Sequence, residues 1–246
     1  IYSTAGSAVI NCSFNSNNAA YGGGAVITGI ALIDSCEFQM CMADSEGGGL
    51  YSPDGYHDVL NTGFSENYAS IGGGVSTRFG DYLNCVFENN GASNRGGGMN
   101  FSSNCDVVNC LFFANEADFG GAMSLYGYLQ GIDNCTFYNN SADSSGSVAY
   151  RYDGIYAATL NSCILWGNDP GVFGGGAMNI KYSCIQDSLS GIGNIYEDPL
   201  FVDAANNDFH LQSIIGTWQG GDWITFSEHS PCIDNGSPTF VYDREP

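Results

Sequence analysis

The run AVITGIALI at residues 25–33 alternates apolar side chains with small or polar ones, and so does GGGMNFSS at 96–103. Alternation with a period of two marks a strand with one buried face. Clusters of Gly, Asn and Ser separate such runs, which is turn punctuation. No apolar stripe of period 3.6 is visible. The pattern predicts an all-β chain of short strands.

The alternation is itself repeated. Phe14, Phe38, Phe64, Phe87, Phe112 and Phe137 recur at steps of 23 to 26 residues, with Leu165 in the seventh place. Two positions before them stand Cys12, Cys36, Thr62, Cys85, Cys110, Cys135 and Cys163; Cys184 falls near the same row. Three positions after them stand Asn17, Cys41, Asn67, Asn90, Asn115, Asn140 and Asn168. A glycine cluster follows in each copy, as at Gly22-Gly23-Gly24 and Gly72-Gly73-Gly74.

A repeat of ~25 residues is shorter than helical repeats use and fits one coil of a β-solenoid. We read it as a parallel β-helix of about 7–8 coils, with three strands of ~4–6 residues per coil and a rise of ~4.8 Å. Parallel crossovers are overwhelmingly right-handed, so a right-handed coil is expected. Residues at equal offset then stack: the Cys and Phe rows form a core ladder, and the Asn row forms a turn ladder of amide-to-amide hydrogen bonds. Residues 1–186 make the solenoid. Residues 187–246 leave the register and form an irregular C-terminal capping segment of the same domain. There Trp218, Trp223, Phe226 and Pro231 are expected to cover the last coil. At the other end Ile1 to Ile10 enters mid-coil, leaving an open strand edge.

The paired motifs FxxN and GGA/GGG resemble the repeats of polymorphic outer-membrane proteins. The phrases NSCILWGN (161–168), DPLFVDAANNDFHLQS (198–213) and SPCIDNGSP (230–238) resemble the end of secreted right-handed β-helix proteins with a pectin-lyase-like fold. The resemblance implies an extracellular or cell-surface location. It implies no single activity, because this architecture hosts lyases, hydrolases and adhesins.

Charge then narrows the partners. The chain holds 26 acidic and 5 basic residues, a net charge of −21. Such a surface repels phosphate backbones, which argues against nucleic acid. No apolar run reaches the ~18 residues of a transmembrane segment.

Among candidate chemistry, the ten cysteines come first. Those on the ladder read as buried thiols, with inter-rung disulfides as the alternative. Cys41, Cys105 and Cys232 lie off the ladder and are better placed for a bridge or a reactive thiol. Asp118 and Asp143 share an offset on adjacent coils and form a candidate calcium pair, against the reading of a solvated turn. His57, His210 and His229 are scattered and read as surface residues. Arg78 and Arg151 share an offset but lie three coils apart; with Arg95, Lys181 and Arg244 they make no clamp for a sugar acid. No catalytic set and no cofactor other than calcium is expected. Tyr21, Ile71, Phe119 and Phe173 are candidates for an outer stripe, with Tyr150, Tyr152 and Tyr156 crowding one coil; such stripes bind sugar faces or proteins.

These readings converge on a non-enzymatic extracellular or cell-surface structural repeat protein, adhesive or assembling end to end into a fibre through its coil ends. The alternative is a carbohydrate-binding or lyase-like polysaccharide-cleaving β-helix.

Overall fold

A computed structural model of the chain describes residues 2–3, 6–127, 131–152, 157–219 and 222–238. They wind into an all-β parallel solenoid whose coils are about 25 residues long. One coil shows the plan: Leu50–Asp54, His57–Leu60, Gly63–Ser65 and Tyr68–Ile71 each join a different sheet, here sheets 1 to 4 in that order. Sheets 1, 2 and 3 hold eight strands each and sheet 4 holds six, so about six coils contribute to all four.

Four strands per coil correct the expected three. The reason lies in the corners, which spend one residue each. Asn11, Asn61, Asn84, Asn109 and Asn134, just before the Cys row, have φ between 48° and 56°. Ser16, Asn89 and Asn139, just before the Asn row, have φ of 54°, 50° and 52°. A single left-handed residue turns the chain sharply, and Asn tolerates that conformation better than most. The Asn of each Asn-Cys phrase is therefore a corner, and strands of three to five residues fit between corners. The third corner opens on glycine, as at Gly72 with φ 64°. Its neighbour Gly73 is fixed by closeness: a Cβ there would lie 2.2 Å from the Gly91 carbonyl oxygen of the next coil.

Inside, like residues stack on like. Phe14, Phe38, Phe64, Phe87, Phe112 and Phe137 are direct partners in sheet 3, continued by Leu165 and Ile185. Successive rings stand 4.4–5.1 Å apart and within 14° of parallel. That separation is the strand spacing, so pairing and ring contact are satisfied by one geometry. Ile33, Val59, Val107, Ile132 and Leu160 fill the facing row of sheet 2, each at most 1% exposed. The buried apolar residues of sheet 4 are all alanines: Ala43, Ala69, Ala92, Ala117 and Ala142.

Beyond Ile185 the register ends. Residues 192–195 run beside 182–185, with Tyr182 N–H donating to Ile192 O (2.8 Å) and Ile185 N–H to Ile195 O (3.0 Å). The antiparallel pair Phe201–Asp203 and Asp208–Leu211 then turns back along the flank of the solenoid. Its Phe209 meets Phe113 at 5.3 Å and Tyr138 at 5.1 Å, both on the outer side of sheet 3. Trp218 and Trp223 lie opposite one another in a further short pair, and Trp223 is 59% exposed. The tail thus uses Phe201 and Phe209, rather than Trp223, as its apolar anchors. Among the described residues no helix is long and apolar enough to cross a membrane.

Candidate functional site

The two recurring corners do the same job with different atoms. At the first, the Cys85 N–H donates to Cys110 Sγ and the Cys110 N–H to Cys135 Sγ, each at 3.4 Å. Each thiol in turn donates to the carbonyl two residues back, as Cys135 does to Asp133 (3.2 Å). Thr62 and Ser183 take this place in two coils: Thr62 Oγ1 accepts from Cys36 N–H (3.3 Å), and Ser183 Oγ from Cys163 N–H (3.0 Å). Cys184 is therefore one residue off the ladder, paired with Ile164. All ten cysteines are free thiols. Cys36, Cys85, Cys110, Cys135 and Cys163 are buried, while Cys12 is partly exposed.

At the second corner, the Asn115 amide donates to Phe87 O and to Asn140 Oδ1, each at 2.9 Å. Its own Oδ1 accepts from both the backbone and the side chain of Asn90, each at 3.0 Å. The chain of amides runs from Asn67 through Asn90, Asn115 and Asn140 to Asn168. Asn17 opens the row against Cys41, which holds the Asn place in its coil: Cys41 N–H donates to Asn67 Oδ1 (3.0 Å) and its thiol to Phe14 O (3.4 Å). Cys41 is fully buried and not a reactive thiol on a surface. Cys105 is likewise buried, and burial pushes its thiol well above the ordinary range.

His57 corrects the surface assignment. It is 1% exposed and points into the solenoid from sheet 2. Its Nδ1 lies 3.2 Å from Ser52 Oγ, and its Nε2 lies 3.0 Å from Tyr82 Oη and 3.3 Å from Thr77 Oγ1. Burial lowers its pKa to about 4, so it is neutral at pH 7. Closed off by strands, this cluster is a satisfied interior network. His210 is exposed and paired with Asp208 at 2.6 Å, and His229 is exposed.

The basic residues also separate. Arg151 points inward at 1% exposure, in register with Thr77, and donates to Gly127 O (2.7 Å). Arg78 lies outside, 5.0 Å from the Phe79 ring. Lys181 is exposed. Arg244 and Tyr156 lie outside the described residues.

Asp118 and Asp143 each follow the paired alanines Ala117 and Ala142 on adjacent strands. A longer acidic row was not anticipated: Asp58, Asp81 and Asp106 are in direct register on the outer side of sheet 2. The Tyr56 hydroxyl donates to Asp81 (2.6 Å). Partial burial and Asp81 raise the Asp58 pKa, while burial and the Asp81 bond raise that of Tyr56. Among the described residues no three His, Cys, Asp or Glu side chains converge in a group able to hold a metal.

The surface feature with most chemistry runs along the corner between sheets 4 and 1. One row is Tyr21, Glu46, Ile71, Arg95, Phe119 and Ser145. Beside it runs Val26, Tyr51, Ser76, Asn100, Ser124 and Tyr150. Phe173 belongs to neither row; it pairs with Ala149 and packs on the core. Rings gather at both ends, Tyr21 on Tyr51 (5.2 Å) and Phe119 on Tyr150 (4.8 Å), with Arg95 over Tyr152 (4.8 Å). Beneath them runs a buried hydrogen-bonded line: Ser124 Oγ donates to Asn100 Oδ1 (2.6 Å), Asn100 Nδ2 to Ser76 Oγ (3.1 Å), and Ser76 Oγ to Glu46 (2.8 Å). Period-two parity could have placed Tyr51 and Tyr150 here from sequence.

Against known families, the profile described as "Disaggregatase related" matches residues 174–236, from the last sheet 1 strand through the tail. No curated protein and no solved structure matches the chain. The match falls on the part of the chain that carries the end phrases, and it accords with the β-solenoid architecture.

Proposed function

We propose that the chain is a non-enzymatic structural scaffold of the cell exterior, a stiff rod that adheres through its flank and extends end to end. The observation that carries this is the continuity of the internal ladders. Six rings and five amides run unbroken along the axis, so bending the rod would part ring contacts and hydrogen bonds together. The strands of the first coil, Ser7–Ile10, Ser13–Asn15 and Asn18–Tyr21, are the outermost of their sheets. Such an edge is a template for another coil of the same repeat, on the same polypeptide or on a second copy. The likeness of its FxxN and GGA/GGG motifs to outer-membrane protein repeats supports a place on the cell exterior. Light scattering and negative-stain microscopy of the purified chain test it: rods lengthening with concentration are expected, and a strict monomer at high concentration refutes end-to-end growth.

The strip between sheets 4 and 1 favours a second reading, glycan binding. Rings at both ends, with the partly exposed Glu46 and Arg95 between them, suit the apolar face and hydroxyls of sugars. Glycan arrays with and without calcium test it, beside an ultraviolet assay for unsaturated products of lyase action. Binding lost in Tyr51→Ala and Tyr150→Ala supports it; blank arrays and a flat ultraviolet trace remove it.

A further inference from the structure

The tail first closes on itself and then comes back onto the last coils. Ser230, 2% exposed, donates through its hydroxyl to Pro199 O, and its N–H donates to Gln212 O (2.9 Å). The Ser237 N–H donates to Ser162 Oγ (2.9 Å), across 75 residues of chain. Between these contacts Cys232 of the tail is brought to the same cavity wall as Cys184 of the last coil. That cavity, of about 320 Å³, is also lined by Ser162, Ser183 and the ladder cysteines Cys135 and Cys163. The Cys184 thiol has Glu197 O within donating distance (3.2 Å) as well, so its single proton is shared between that carbonyl and the sulfur of Cys232.

Here the solenoid and its tail each present one sulfur to the other. We propose that Cys184 and Cys232 are a redox clasp: they close to a disulfide that locks the tail to the last coil, by exchange with a small disulfide such as oxidised glutathione. The Cys232 thiolate attacks one sulfur of the reagent, and the other leaves as a thiolate that takes up a proton. The Cys184 thiol then gives its proton to solvent, and its sulfur attacks Cys232 in the mixed disulfide, displacing the second thiolate. Two protein S–H bonds and one reagent S–S bond become one protein S–S bond and two reagent S–H bonds. The protein is oxidised by two electrons and the reagent is reduced by two.

The order of attack follows from the surroundings. Cys232 is partly exposed, so reagent can reach it. The hydrogen bond from Cys184 favours its thiolate and draws its pKa below the ordinary value, while the same contact raises that of Cys184. The ladder thiols differ in access, not in chemistry. Cys85, Cys110 and Cys135 are at most 2% exposed, and each is committed to backbone partners in its own coil and the one before it.

The test uses the native full chain in a glutathione buffer, quenched by alkylation and mapped by mass spectrometry without reduction. A Cys184–Cys232 cross-linked peptide is expected, reopened by dithiothreitol, with the buried ladder cysteines Cys36, Cys85, Cys110, Cys135 and Cys163 alkylated only after unfolding. Limited proteolysis of the wild type should cut the tail several-fold faster in the reduced form than in the oxidised form. This comparison needs no substitution. In Cys184→Ser, Cys232 should stop at the mixed disulfide with glutathione, and the redox difference in cutting should vanish. A wild type that stops at that mixed disulfide, or bridges pairs other than Cys184 and Cys232, overturns the clasp.

Discussion

Asn115 offers a test of how much the corner amides hold. It is fully buried and makes four hydrogen bonds, two donated and two accepted. Asn115→Ala deletes all four and leaves the Asn90 N–H without its acceptor inside the corner. A net hydrogen bond is worth about 1 kcal/mol and an orphaned buried donor costs about 1–3 kcal/mol, so a loss of roughly 3–5 kcal/mol is expected. Asn115→Cys should cost less, about 1–2 kcal/mol by the same reckoning. Cys41 shows why: in its coil a thiol meets the carbonyl of the neighbouring Phe and stands where the amide would. Asn115→Asp keeps the shape but faces Phe87 O and Asn140 Oδ1, both acceptors. Its carboxyl must take up a proton or bury a charge, so its folded pKa is raised. The penalty is then greatest at neutral pH and relaxes as pH falls through that raised value.

Solenoids open locally, so hydrogen exchange at the Asn90 amide reads this cost better than a global melt. The expected order of protection at pH 7 is wild type, then Cys, then Ala, then Asp. Equal protection in the Cys and Ala variants, or an Asp variant as protected as wild type, would refute the assignment of the corner energy to these bonds.

Further outcomes follow from the same geometry. His57, with its pKa lowered by burial from 6.5 to about 4, contributes stability that is complete above pH 6.5 and lost as pH falls towards 4. The amount is about 3 kcal/mol; urea midpoints of wild type and His57→Gln, measured across that window, should show the slope in wild type alone. Gly73→Ala places a Cβ against the Gly91 and Gly97 carbonyl oxygens, so soluble yield and circular dichroism should fall sharply. Phe87→Ala should cost about 3–5 kcal/mol, read by urea denaturation, while Phe87→Leu should be milder because Leu165 already continues the row.

The architecture was legible where one side chain answers to one position on every coil. A Phe at fixed offset stacks on its own copy, so the repeat in the sequence is the contact in space. The corners were harder to read. An Asn before a Cys looks like a strand end until its φ shows it turning the chain, and that one residue separates a three-strand coil from a four-strand one. His57 and Arg151 escaped because offsets drift when coils vary in length. Parity was the available signal for His57, since it lies two residues before the buried Val59. The tail offered no such signal, because its partners Phe113 and Tyr138 are outward residues whose pattern reads as surface.

Scaffold and function separate along the same line. A row on one strand, such as the phenylalanines, is written in the period and needs no structure to find. The strip between sheets 4 and 1 needs two rows from different strands to lie side by side, and the clasp needs a residue outside the repeat to meet one within it. The relation that makes each is the angle between strands or the path of the tail, neither of which the period encodes. Features that recur coil after coil are therefore the frame of this molecule, and those that break the recurrence are where its specific chemistry should be sought.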